Sequence, residues 1–192
     1  MDEVEGLVLR AGVPSDITEI TAIYAHAVLH GTASFELCAP DSEEMARRQQ
    51  ELLRHGYPYV VAVSGREVLG YAYAGPYRPR PAYSHTVENS VYVRPDAQGR
   101  GIGFALLKQL LQEAELRGFR QMVAVIGDSG NRASIRLHER LGFAHVGTLH
   151  AVGWKHGKWL DVVIMQRALG SGAATGPEGQ GSAVGVPGTS PG

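Results

Sequence analysis

The amino-acid sequence predicts an α/β (α+β) protein, with a central mixed, mostly antiparallel twisted sheet of about seven strands flanked by about four helices. The first sign is a hairpin. Two apolar runs, Tyr59–Ser64 and Glu67–Ala74, flank the turn pair Gly65-Arg66. The second is a change of pattern from Thr86 onward, where strand and helix periods alternate as β-α-β-α. Hairpins first and alternation later imply a mixed sheet covered by helices, and no internal repeat argues for anything else.

In chain order, Val8–Arg10 reads as the first strand. Pro14-Ser-Asp16 opens a helix in which Ile17, Ile20, Ile23, Tyr24 and Ala27 recur at helical spacing, and Gly31 ends it. Thr32–Glu36 is too short to assign. Ser42-Glu-Glu starts a second helix that continues through Met45–Arg54 to Gly56. The hairpin follows, and Gly75-Pro76 is expected to break its second strand. Thr86–Val93 is a strand stopped by Pro95. Ile102–Arg117 is a helix, Gln121–Ile126 a buried strand, and Asn131–Leu141 a helix closed by Gly142. Phe143–Val152 and Leu160–Gln166 complete the sheet.

At 192 residues the chain has room for one domain with a real core, assigned to residues 1–169. Residues 170–192 are rich in Gly, Pro, Ala and Ser with Glu178 as their one charge, and are expected to form a disordered tail. A formal net charge of −1 and a pI near 6.7 leave no electrostatic footprint for nucleic acid or an anionic membrane. Cys38 is the only cysteine, which excludes an internal disulfide and a cysteine-based zinc site. His26 and His30 share a helix face, but no carboxylate at suitable spacing joins them, so no metal is expected. No apolar run reaches membrane-spanning length, and the start MDEVEG is not a signal peptide. A cytoplasmic protein is the expectation.

The most informative stretch is Gln98-Gly99-Arg100-Gly101-Ile102-Gly103, where the Thr86–Val93 strand gives way to a helix. Glycines there let backbone N–H groups approach an anion, and the helix N-terminus adds a favourable dipole. A phosphate-bearing cofactor is predicted. The loop lacks the GK[ST] ending of a nucleotidase, and the chain start lacks the strand–GxGxxG–helix unit of a Rossmann domain.

Around the loop stand three further groups. On the Asn131–Leu141 helix, at about 100° per residue, Ala133, Leu137 and Leu141 form a stripe expected to face the core. Asn131, Ser134 and His138 form a polar ridge beside it, well placed to line a cofactor groove. On the strand before the loop, alternation puts Thr86, Glu88, Ser90 and Tyr92 on one face and Val87, Asn89, Val91 and Val93 on the other. Glu88 is then a candidate general base, or else a solvated strand glutamate. Before that strand, Arg78-Pro-Arg80 and Tyr83 form a stiff loop that suits an anionic substrate group, because arginine grips oxygens in pairs. A merely solvated loop is the plainer alternative. Trp154, His156, Trp159 and Asp161 read as a packing or interface hairpin, and Cys38 as a bystander.

Gln98-x-x-Gly101-x-Gly103 after Val91-Tyr92-Val93 resembles the acetyl-CoA pyrophosphate loop of the GNAT superfamily of N-acetyltransferases, and so implies the GNAT fold. That family places a tyrosine, the usual proton donor to the leaving thiolate, seven residues after an asparagine. Here His138 holds that position relative to Asn131. The segments AYAGPYRPRPAY, TVENSVYV, VAVIG, SIRLHERLGF and GTLHAVGWKHGKWLDV together resemble the phosphinothricin acetyltransferase group, from Val8 to Leu169. The resemblance implies catalytic roles for Glu88 and His138, and substrate contacts from Arg78, Arg80, Tyr83 and Phe35. It implies acetyl-CoA held by Gln98–Gly103, Asn131 and Ser134, with backbone N–H groups at Val91, Tyr92 and Val93 polarising the thioester. It also implies a homodimer, and a phosphinothricin-, methionine sulfoximine- or methionine sulfone-like acceptor acetylated by direct transfer. Acetylation of another amine, such as a polyamine, aminoglycoside or protein N-terminus, and a non-catalytic CoA-binding module stand as the alternatives. Arg78 and Arg80 disfavour cationic acceptors.

Overall fold

The computed structural model describes residues 6–176. Seven strands form one sheet: β1 (Leu7–Ala11), β2 (Tyr59–Ser64), β3 (Glu67–Pro76), β4 (Thr86–Val93), β5 (Gln121–Gly127), β6 (Ala144–Lys155) and β7 (Lys158–Ala168). Four α-helices accompany them: α1 (Ile17–His30), α2 (Ser42–Arg54), α3 (Ile102–Leu116) and α4 (Arg132–Arg140). The strand order is β1-β2-β3-β4-β5-β7-β6. Every neighbouring pair is antiparallel except β4 with β5. This is the GNAT arrangement that the sequence resemblance implies.

Apolar side chains on the two sheet faces build two cores. Leu106, Leu107 and Leu110 of α3 are fully buried against Ala72 of β3, Val87 of β4 and Met122 of β5. On the opposite face, Ile20, Tyr24 and Val28 of α1 and Met45 of α2 cover Val61, Val68 and Tyr71. Each such leucine contributes roughly 1.5–3 kcal/mol on leaving water, so both layers hold the sheet rigid. α2 starts on Asp41, whose Oδ1 accepts from the Glu44 N–H at 2.8 Å.

Two expectations are corrected. Gly75-Pro76 does not break β3, since Gly75 pairs with Glu88 and Pro76 with Val87. The β2 side of β3 ends where the Ala74 N–H meets Pro58 O at 3.1 Å, so the missing proline N–H falls beyond that ladder. The α4 stripe enters the core only in part, with Leu141 buried in it and Leu137 packed against it. Ala133 is exposed, and His138 is the buried residue of the helix, at 3% exposure. Beyond β7, Gly172 N–H donates to Leu169 O, and Arg120 donates to Gly172 O at 3.0 Å and Thr175 O at 2.8 Å. The rest of the segment read as a tail, 177–192, lies outside the described residues. Among the described residues, no helix is long and apolar enough to cross a membrane.

Candidate active site

β4 and β5 pair only from Thr86 to Asn89, opposite Gln121 to Ala124. Beyond that point they diverge. Ser90–Val93 remains paired with β3 and Val125–Gly127 with β7, so each strand leaves one edge facing the gap. A cavity of about 800 Å³ fills this gap and runs to the α3 N-terminus and the α4 flank. That volume lies in the range of cofactor and small-molecule sites.

The loop closing one end of the cavity has the backbone that its glycines permit. Gly99 and Gly101 have φ of 75° and 80°, the left-handed region, and Gly101 is the N-cap of α3. The first N–H groups of α3 have no intrahelical acceptor, and its first turn carries no acidic residue. Gln98, Gly99, Gly101, Ile102 and Gly103 line the cavity, as do Val91, Tyr92 and Val93. Gln98 Nε2 donates to Val93 O at 3.3 Å, tying the loop to β4. Arg100 is exposed between the two left-handed glycines. Arg136 and Arg140 of α4 also line the cavity, with Arg140 stacked 4.7 Å over the Phe104 ring. These two cations were not singled out from sequence. Their signal was the i, i+4 repeat of arginines along α4, and with the free N–H groups they suit an anion such as a diphosphate.

Asn131, Ser134 and His138 line the same cavity. Asn131 Oδ1 caps α4 by accepting from Ser134 N–H at 3.2 Å. His138 Nδ1 lies 2.8 Å from Ser134 O, and Nε2 lies 3.0 Å from Asn89 Oδ1. Asn89 Nδ2 in turn donates to Val123 O at 3.1 Å. The Phe143 ring packs edge-on against the imidazole. Burial pushes the His138 pKa below its ordinary value, with the Ser134 carbonyl opposing. Asn89 is a site residue that sequence reading missed. Its signal was an asparagine on an otherwise valine-only strand face, a buried polar group that needs partners.

Glu88 lies on the other face of β4, the side of Tyr92 and the α1–α2 core, half-buried. Burial raises its pKa, and the nearby Arg78 guanidinium works against that rise. Arg78 is exposed and stacks on Tyr77, whose ring meets Tyr83 edge-on. Arg80 and Tyr83 are exposed on the same loop. Phe35 sits at the far end of the gap. Its ring lies where a Cβ on Gly153 would be 2.5 Å from it, while a Cβ on Gly127 would be 2.3 Å from Thr32 O. The loop after α1 can press onto β5 and β6 only because those two side chains are absent. Lys155 Nζ, buried, donates to Ser34 O at 2.6 Å and fastens it. Asp161 accepts from Ser129 Oγ and Ala151 N–H, a structural task.

A split parallel pair, a glycine-capped helix at its mouth and a carboxylate on the strand feeding it point to one family. Its model, described as the Acetyltransferase (GNAT) family, matches residues 21–143. The chain belongs to that family. It is similar to a phosphinothricin N-acetyltransferase of Alcaligenes faecalis, 52% identical over 85% of this chain and 83% of that protein. It is also similar to an L-methionine sulfoximine/L-methionine sulfone acetyltransferase of Pseudomonas aeruginosa, 46% identical over 83% of this chain and 92% of that one. Among solved structures, a GNAT phosphinothricin acetyltransferase from Sinorhizobium meliloti in complex with acetyl-CoA superimposes with a TM-score of 0.88. It is 47% identical, covering 91% of this chain and 95% of that one. This GNAT protein is therefore an acetyltransferase.

Proposed function

We propose that the protein uses acetyl-CoA to acetylate the amino group of a small, anionic amino-acid-like acceptor, of the phosphinothricin, methionine sulfoximine or methionine sulfone type. The observation that carries this reading is the half-buried Glu88 with the Arg78 guanidinium nearby, on the strand that splits to admit the cofactor. Acetyl-CoA supplies an activated acetyl thioester. Gln98–Gly103, with Arg136 and Arg140, would hold its diphosphate, and Asn131 and Ser134 the flank of its arm. The unpaired edge of Ser90–Val93 offers N–H groups to the carbonyl oxygen that gains charge.

The acceptor amine is mostly ammonium in water. With amine pKa values of about 8 to 10.4, freeing it at pH 7 costs roughly 1.4 to 4.6 kcal/mol. Glu88 takes that proton, directly or through water, and the amine attacks in a direct transfer. Burial favours this role by making the carboxylate a stronger base than a solvated one.

A coenzyme-A-release assay tests the acceptor class. Phosphinothricin, methionine sulfoximine and methionine sulfone are expected to be turned over, and spermidine not; the reverse order would sink the anionic-acceptor reading. Arg78→Ala is expected to raise KM for these acceptors about 10- to 100-fold with kcat within a few-fold, the pattern of lost uniform binding. An unchanged KM removes Arg78 from the acceptor site.

A homodimer is part of the same proposal. β6 is the sheet edge, and Val146, Leu149, Val152 and Trp154, with Trp159 of β7, are 52–63% exposed. An apolar edge strand of this kind is suited to burial against another copy. Sedimentation velocity is expected to show a dimer for the intact chain and a monomer for Val146→Glu/Trp154→Glu. An intact chain that sediments as a monomer overturns this assembly.

A further inference from the structure

A second cavity, of about 280 Å³, lies between α2 and the α1 side of the sheet. It shares no lining residue with the cavity between β4 and β5. Met45 and Leu52 of α2 form one wall, and Tyr59, Tyr71 and Tyr73 of β2 and β3 the other. Those three rings are nearly parallel, with Tyr59 5.5 Å from Tyr73 and 5.8 Å from Tyr71. The volume suits a single ring, at the small end of the range for small-molecule sites.

Two polar residues of this lining lack a partner. Tyr71 is fully buried and Gln49 is 3% exposed, and among the described residues neither Tyr71 OH nor Gln49 Nε2 has a hydrogen-bond partner. Each such group costs about 1–3 kcal/mol, and native folds leave few of them. Both groups can donate, and the Gln49 nitrogen can do nothing else. Burial pushes the Tyr71 pKa up, so the phenol keeps the hydrogen it has to give. The missing partner is therefore an acceptor. The charged residues of the lining, Arg47, Arg48 and Glu51, are already paired. Both arginines donate to Glu44 at 2.7 Å, Arg48 also donates to Glu36 at 2.6 Å, and Arg54 holds Glu51 at 2.9 Å. An ionic occupant would lose its water and meet no unpaired counter-charge.

We propose that this cavity is a second small-molecule site, taking a neutral one-ring compound whose carbonyl oxygen accepts from Tyr71 OH and Gln49 Nε2. A carbonyl oxygen has two lone pairs, one for each donor. The site bears on the loop after α1. Tyr24 and Arg48, which line the cavity, donate to the same Glu36 oxygen at 3.0 and 2.6 Å, so an occupant touches two side chains that hold the residue next to Phe35. Tyr73 pairs with Ser90, one side-chain position from Glu88 on the same face of β4, so separateness from the acceptor is decided by competition.

Methyl-¹³C methionine labelling of the full-length protein supplies one reporter inside the site and two outside it. Met45 lines the cavity, whereas Met122 and Met165 are buried in the α3 core. Acetophenone, a neutral ring with one carbonyl, is expected to shift the Met45 methyl saturably with a Kd of about 1 mM or below, leaving Met122 and Met165 in place. Tyr71→Phe should weaken acetophenone about 3- to 10-fold, the worth of one hydrogen bond, and leave ethylbenzene, which has no oxygen, within about twofold. Unchanged Met122 and Met165 signals in that variant show that its fold is intact. A Met45 methyl that acetophenone does not move overturns the proposal. Equal effects of Tyr71→Phe on the two probes overturn the polar end of the site. Displacement of acetophenone by excess phosphinothricin makes the cavity an arm of the acceptor site and overturns a separate one. None of these readouts uses acetyl transfer, so the acetyltransferase reading stands or falls apart from them.

Discussion

Glu88→Gln is expected to lower kcat by about 10²- to 10⁴-fold, the range over which a positioned general base acts, while acetyl-CoA affinity stays within a few-fold. The isostere keeps the shape of the side chain, so the β3–β4 ladder at Gly75 and Glu88 should survive the change. Only the ionised carboxylate can take the ammonium proton. Because burial raises the Glu88 pKa, the acid limb of kcat/KM should lie above the ordinary glutamate value of about 4.3, and activity should fall as pH drops through it. The Arg78 charge holds that rise down, so Arg78→Ala should move the limb to higher pH. Stability follows the opposite sign. A carboxyl whose folded pKa exceeds its unfolded value destabilises the fold once it ionises, so Glu88→Gln should melt at or above the unmodified protein at pH 7 and equal to it below about pH 4. Stopped-flow turnover with matched thermal melts separates the two. Near-normal turnover would remove Glu88 from the chemistry.

The sheet was legible because its strands are short apolar runs bounded by turn residues, with glycine at positions such as Gly65 and Gly157 where left-handed backbone is needed. The glycine loop before α3 was legible for a related reason. Its residues are contiguous from Gln98 to Gly103, so spacing alone placed them at the N-terminus of α3. What stayed hidden depends on contacts between distant segments. Asn89 looked like an interloper on a valine face, and only the 49-residue jump to His138 shows what satisfies it. The α4 stripe holds at Leu137 and Leu141 and fails at Ala133, because periodicity weighs apolar character alone. Ala133 lies exposed at the cavity, while His138 turns inward to Asn89 and Ser134. Pro76 likewise reads as a breaker unless the end of β2 is known. β6 also ran past its expected end at Val152 to Lys155, across an irregular stretch where Ala151 has a φ of 51°. Asp161, far along the chain, holds that kink through the Ala151 N–H.

Gly101→Asp is expected to weaken acetyl-CoA binding at least 100-fold without unfolding the protein. The backbone there is left-handed, a region that Asp and Asn tolerate better than other side chains, and the position is a helix N-cap, which Asp and Asn favour. The domain should therefore keep its fold. The bound cofactor would not keep its affinity. A carboxylate about 5 Å from a phosphate charge costs about 3 kcal/mol at an effective dielectric of 20, which is about two decades in Kd. Gly101→Asn supplies nearly the same shape without the charge, and should bind within about tenfold of the unmodified protein. The gap between the two variants isolates electrostatics from bulk, and it should narrow as salt rises because screening shortens the reach of the added charge. Calorimetry of acetyl-CoA against the three proteins reads all of this. Equal affinities for the Asp and Asn variants would place the diphosphate away from the α3 N-terminus and break the link between this loop and the cofactor.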